Sequence, residues 1–240
     1  MTGAGVSPSE LETLWQTLDP AARDLWLRAG HCAPESVSAE LADACGLTGA
    51  ARAALADLRL IDVDPDGALR MAPEARAFAQ RCQDPAARAT ARAAFLDGVL
   101  ARARDIDLST GARIFTADRA HFEQALSLLT EDPTDTPRWL FLLDRVGTAL
   151  HGQGDLAAAR DLMQLALALS IKLLGAGDEL TIAARRSNLA LVLLDQGELP
   201  GARDLLEQAL AAGERGLPGD HPALASVRTT LARIRKVTGG

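Results

Sequence analysis

A segment near the C-terminal end of this 240-residue chain repeats itself, and a fixed period constrains a fold more than any local propensity does. Gly154-Asp155-Leu156-Ala157-Ala158-Ala159-Arg160-Asp161-Leu162 returns 43 residues later as Gly197-Glu198-Leu199-Pro200-Gly201-Ala202-Arg203-Asp204-Leu205. A second pair, Gly177-Asp178-Glu179 and Gly219-Asp220-His221-Pro222, is offset by 42 residues and precedes Asn188-Leu189-Ala190 and Thr230-Leu231-Ala232 by matching distances. Within each period two apolar patterns of helical spacing flank a Gly-Asp or Gly-Glu break, which predicts a helical hairpin. Small residues stand where the two helices must touch: Gly147 and Ala190 on the first, Ala159, Ala166, Ala202 and Ala209 on the second. Leu150, Leu156, Met163, Leu193, Leu199 and Leu206 are the expected surrounding core. Asp178 and Asp220 are expected to cap the helices that follow them, and Pro222 suits a first helical turn.

The rest of the chain also favours helix. Aromatic residues make up only 3% and Tyr is missing, while Ala, Leu and Arg dominate, so strands lack their preferred side chains. Hydrophobic residues at 48% give enough apolar material for one large or two modest cores. No apolar run approaches the roughly 20 residues of a membrane helix, and MTGAGVSPSELE lacks the order of a signal peptide; a cytoplasmic location is the expectation. Cys32, Cys45 and Cys82 form no C-x-x-C pair and are read as small core residues rather than a disulfide or zinc framework. A net charge of −7 gives no bulk attraction for a phosphate backbone.

At the N-terminal end, Pro8–Leu18 and Pro20–Ala29 read as helices, each opened by Ser or Asp before Pro. Further helices are expected over Glu35–Cys45 and Gly49–Leu58. Arg59–Val63 and Ala68–Met71 then flank Asp64-Pro65-Asp66-Gly67, which predicts a two-stranded hairpin. Three helices followed by a hairpin suggest a winged helix.

These patterns resemble two families. The C-terminal repeat, over about residues 138–240, is similar to the tetratricopeptide repeat of the kinesin-light-chain type, whose third copy here ends after one helix with Arg228, Arg233, Arg235 and Lys236 as a solvating face. Cys32-Ala33-Pro34-Glu35-Ser36-Val37, Ala54-Leu55-Ala56-Asp57-Leu58-Arg59-Leu60-Ile61 and Leu69-Arg70-Met71-Ala72-Pro73-Glu74-Ala75-Arg76-Ala77-Phe78-Ala79 resemble the winged-helix segment of the signal-transduction ATPases with numerous domains (STAND). Thr116-Ala117-Asp118-Arg119-Ala120-His121-Phe122-Glu123-Gln124-Ala125-Leu126 resembles the helix that opens the repeat arm in that group. The expected architecture is therefore mostly α: a winged-helix-like domain over 1–84, a connecting helix pair over 85–137, and an α-solenoid of tetratricopeptide-type hairpins with a capping helix over 138–240. No G-x-x-x-x-G-K-[ST] is present, so the nucleotide-binding module of the STAND proteins is not carried over and no cofactor is expected.

What the tetratricopeptide resemblance implies is a groove lined by the first helix of each hairpin. The matching inward positions are Arg145, Asn188 and Thr230, with Thr148 and His151 a turn on. An Asn amide can donate to and accept from a peptide backbone, and Arg145 can hold a carboxylate bidentately. The leading expectation is a non-catalytic protein–protein interaction module, a regulatory adaptor or detached sensor arm of a STAND-like system, with a protein or peptide partner. One alternative is a regulator touching DNA through Gly49–Leu58, although Asp62, Asp64 and Asp66 would repel phosphates. Another is an enzyme whose site assembles only in three dimensions, since His31, His121, His151 and His221 are scattered and no Ser or Cys sits in a nucleophile motif. The D-x-D-x-D-G run from Asp62 begins like a calcium loop but has Pro73 where the bidentate Glu belongs.

Overall fold

The computed structural model describes residues 7–32, 36–81, 84–131, 135–174 and 178–238. The chain divides into two units, one of Met1–Asp105 with Thr116–Thr134 and one of Ile106–Phe115 with Asp135–Gly240. Both contain segments of the stretch expected to connect them.

The first unit begins with α1 (Pro8–Thr17) and α2 (Pro20–His31). Ser7 and Glu10 form a reciprocal capping box, with Ser7 N donating to Glu10 Oε2 at 2.7 Å, and Asp19 Oδ1 accepts from Ala22 N at 2.8 Å. Proline at the first helical position loses nothing, because its missing N–H would have had no partner there. Trp26 is fully buried; its Nε1 donates to Ala75 O at 2.9 Å in α5 (Pro73–Gln80), and its ring stacks on Phe78 and meets the edge of Trp15. An aromatic-poor chain thus places three of its rings at one junction.

The third helix corrects the sequence reading. α3 covers only Ala39–Ala44, opened by Ser38, whose hydroxyl accepts from Leu41 N at 3.2 Å. Val37 is extended instead and exchanges two backbone hydrogen bonds with Leu69, at 2.7 and 2.8 Å. Glu35, where the helix was expected to start, and Cys82 lie outside the described residues, while Cys32 and Cys45 are buried. After α4 (Gly49–Asp57) the chain reverses at Arg59, in the left-handed region at φ 55°, with Leu60 N bonded to Leu55 O. β1 (Ile61–Val63) and β2 (Leu69–Met71) then pair antiparallel, Ile61 opposite Met71, around a turn closed by Gly67 at φ 87°. Asp64 pairs with Arg70 at 3.5 Å and Asp66 Oδ1 accepts from Ala68 N, so both carboxylates serve the turn.

α6 (Pro85–Ala103), capped by Asp84, lies against α2 and α3. Gly98 is required there: a Cβ would stand 2.4 Å from Cys45 Sγ and 2.7 Å from its Cα. α7 (Gly111–Thr130) bends at Asp118, whose φ of −121° and ψ of 18° leave the helical region. The Asp118 carboxylate is buried and its Oδ2 accepts from Arg102 Nε at 3.1 Å, while Arg102 also faces Asp105 at 3.8 Å and Glu40 at 4.0 Å.

In the second unit, α8 (Thr136–Gln153), α9 (Leu156–Leu174), α10 (Glu179–Asp195) and α11 (Leu199–Gly216) form two hairpins, followed by α12 (Pro222–Thr238). The repeated Gly-acid breaks do the same work twice. Gly154 and Gly197 adopt φ of 81° and 79°, and Asp155 N and Glu198 N reach back to Leu150 O and Leu193 O. Only glycine takes this left-handed stop freely, which explains the breaks. Ala159, Ala166, Ala190, Ala202 and Ala209 are buried as expected, and a Cβ on Gly147 would meet Met163 Cγ at 3.0 Å. Leu150, Met163, Leu193 and Leu206 are core residues, whereas Leu156 and Leu199, which open α9 and α11, stay only half-buried. Asp178 caps α10 by accepting from Thr181 N at 3.4 Å. Asp220 does not cap α12: with Pro222 in the first helical position, His221 occupies the cap and its Nδ1 accepts from Ala223 N at 3.2 Å.

Candidate functional site

The first helices of the repeats, α8, α10 and α12, bring a groove of about 370 Å³ to one end of the second unit. Its floor is Leu191, Leu194 and Asp195 of α10. One wall is α12, with Thr230, Arg233 and Val237, and the other includes Leu108 and His151. Leu108, Leu191 and Val237 keep 56%, 37% and 74% of their surface exposed. Three large aliphatic side chains left open around one cavity form the kind of surface that another apolar group can cover.

Polar contacts set its shape. His151, at the end of α8, is nearly buried, and its Nε2 donates to Asp195 Oδ2 at 2.6 Å, tying α8 to α10. Two turns earlier on α8, Asp144 makes a two-point pair with Arg185 of α10, Nη2 to Oδ2 at 2.9 Å and Nε to Oδ1 at 3.2 Å. Burial raises the Asp144 pKa, against the pull of the Arg185 charge. The Asp195 charge thus has His151 beside it, while Arg233 has no ion pair among the described residues.

Leu108 is held in place by the turn before α7. Asp107 Oδ1 accepts from Ser109 Oγ and N at 2.7 Å and from Thr110 N at 2.8 Å. These bonds, the Ser109 hydroxyl first and the Thr110 and Ser109 amides next, lower the Asp107 pKa to about 2. Gln153 Nε2 donates to Ala112 O at 3.1 Å, and a Cβ on Gly152 would stand 3.2 Å from Leu108 O, so this turn lies directly on the end of α8.

Of the five residues expected to face a partner, His151 and Thr230 line this groove and Arg145, Thr148 and Asn188 do not. Arg145 is engaged, its Nη1 donating to Ile106 O at 3.1 Å and its guanidinium lying 5.3 Å from the Phe141 ring centre. The Thr148 hydroxyl donates to Asp144 O at 2.9 Å and the Thr230 hydroxyl to Ser226 O at 3.0 Å. Asn188 is exposed on α10, one turn before Leu191. The sequence reading missed Leu108, Leu191, Asp195, Arg233 and Val237. A signal existed for α12, where Thr230, Arg233 and Val237 follow helical spacing; Leu108 precedes its helix and gave none.

A family model for the tetratricopeptide repeat matches residues 142–179 and 182–223. Among solved structures, a Podosopora anserina protein of nearly identical TPR-like repeats, described as a kinesin light chain, is 20% identical, with a TM-score of 0.44 over 63% of this chain and 79% of that one. No curated protein matches the sequence. The C-terminal part of the chain is thus made of tetratricopeptide repeats, a scaffold that generally serves protein–protein interaction and is typically non-catalytic. No described helix is long and apolar enough to cross a membrane.

Proposed function

We propose that this chain is a non-catalytic interaction module that takes a segment of a partner polypeptide into the groove of its tetratricopeptide unit, as a regulatory adaptor or the detached sensor arm of a STAND-like system. The observation that carries this reading is the cluster of Leu108, Leu191 and Val237, exposed together around His151 and Asp195 on the inner helices of the repeats. Such a surface suits an aliphatic anchor on the partner, with Thr230 and Arg233 on α12 and Asn188 on α10 offering hydrogen bonds at its edges. What supports a winged-helix role for the N-terminal unit is its order of elements: α2, the extended Val37, α3, α4, then the β1–β2 hairpin carrying Asp62, Asp64 and Asp66 near its tip. Those carboxylates favour docking to protein over a phosphate backbone.

Peptides selected from a random display library against the whole chain test the groove. Leu191→Asp and Val237→Asp should each weaken the selected peptides by at least about tenfold, or about 1.4 kcal/mol, while Asp161→Ala, at an exposed position of α9, should not. Equal binding to all three variants would place the partner surface elsewhere.

A further inference from the structure

The second helices of the two hairpins occupy equivalent places but differ in their outer faces. The 43-residue period maps Leu165, Ile171 and Leu173 of α9 onto Gln208, Glu214 and Gly216 of α11. The three aliphatic side chains of α9 keep 41%, 50% and 49% of their surface exposed. On α11 the matching face is polar and answered within the unit: Glu214 pairs with Arg228 at 2.8 Å and Arg215 with Glu179 at 2.8 Å. Lys172, the counterpart of Arg215, has no ion pair among the described residues. The hairpin does not require apolar residues at these places, since the second hairpin forms without them. On α9 they leave a surface that another molecule can cover.

The order of residues along that face identifies what covers it. Asp161, Leu165, Ala168 and Lys172 are all exposed, and their helical spacing places them in one stripe opposite the buried Ala159, Met163, Ala166 and Ser170. From its N-terminal end the stripe reads acid, large, small, base, with its members at equal distances on either side of the centre. Turned end over end, it meets its own complement: Asp161 comes opposite Lys172 and Leu165 opposite Ala168, each twice. Laid parallel, the same stripe would set Asp161 against Asp161 and Lys172 against Lys172, which repel. Both charges are available for pairing. Asp161 keeps 73% of its side chain exposed, 3.8 Å from Arg160, whose guanidinium lies nearer Glu198 at 3.3 Å.

We propose that α9 is the contact of a two-fold homodimer, in which a second copy of this chain packs antiparallel on the stripe of Asp161, Leu165, Ala168 and Lys172. Such an interface is isologous, so every contact is made twice. Burial of Leu165, with Ile171 and Leu173 at its flanks, carries the affinity, while the exposed ion pairs add little energy and fix the direction. The face shares no residue with the groove around Leu191, and either can fail without the other. The dimer presents every other site of the chain in two copies, so a partner with two anchor segments binds it bivalently.

Sedimentation velocity of the full chain over about a hundredfold range of concentration tests the proposal. The parent should pass from monomer to dimer as concentration rises. Leu165→Glu should weaken the dimer by at least about tenfold. Asp161→Lys and Lys172→Asp each set like charges opposite one another at two places, and each should weaken it by at least about fivefold. The combined Asp161→Lys/Lys172→Asp variant restores both pairs and should return to within about twofold of the parent. Gln208→Glu, at the place on α11 that matches Leu165, should dimerise like the parent. If Leu165→Glu unfolds the hairpin, the charge-swap series alone decides, because Asp161 and Lys172 are exposed. A chain that stays monomeric throughout leaves the face to a different protein and overturns the proposal. A dimer indifferent to these substitutions, or a charge swap no better than the single reversals, overturns it as well.

Discussion

The two units hold themselves together by different means. In the tetratricopeptide unit one solution is used twice: small residues bring helix axes close, a left-handed glycine stops each first helix, and polar pairs such as Asp144–Arg185 and Arg160–Glu198 join one repeat to the next. The N-terminal unit has no such period and relies on single irreplaceable contacts. These are the Trp15–Trp26–Phe78 cluster, the Gly98–Cys45 approach and the buried Arg102–Asp118 pair at the bend of α7. Periodic packing spreads its stability over equivalent contacts, whereas a unique buried pair concentrates it in one place.

The largest expected effect follows from that concentration. Arg102→Ala strands a carboxylate with no exposed side-chain surface and should destabilise the N-terminal unit by about 3–5 kcal/mol. Hydrogen exchange should show faster opening of α3, α6 and the second half of α7, with α10 and α11 unchanged. Protection lost equally in α11 would mean that the units do not differ in the way described.

Gly147→Leu is the counterpart in the repeats. It forces a branched side chain against Met163 and should remove about 1–3 kcal/mol, with exchange accelerating in α8 and α9 first. An unchanged melting temperature would show that the close approach of these helices is not what holds the hairpin.

A smaller effect sharpens the comparison at the turn that carries Leu108. The Asp107 pKa is depressed to about 2, so its contribution is complete above the ordinary value of 3.8 and is lost as pH falls from there toward about 2. Acid unfolding of Asp107→Ala should therefore start from a slightly lower stability at neutral pH and show a shallower loss across that window. Parallel acid-unfolding curves for parent and variant would mean that the turn is formed without its carboxylate.

Much of the repeat unit was legible because its cues are local. The Gly-acid breaks, the small residues at helical spacing and the matched offsets each follow from the geometry of a helical hairpin, and the Pro-Asp-Gly turn announced β1 and β2 in the same way. The third helix was misread because a lone extended residue has no pattern: only the backbone of Leu69, distant in sequence, makes Val37 a strand. Asp220 was misread by one position, since capping depends on which residue precedes the first helical turn.

The candidate site divides along the same line. Period and helical spacing located the helices α8, α10 and α12, and the resemblance to tetratricopeptide repeats pointed to their inward positions, of which His151 and Thr230 line the groove. Only the tertiary structure decided which inward residues remain open. Arg145 is spent on the Ile106 carbonyl, His151 is committed to Asp195, and Leu108 joins the groove from outside the repeat altogether. The physical reason is that periodicity specifies the direction a side chain leaves its own helix, while exposure depends on which distant backbone and side-chain atoms arrive to cover it.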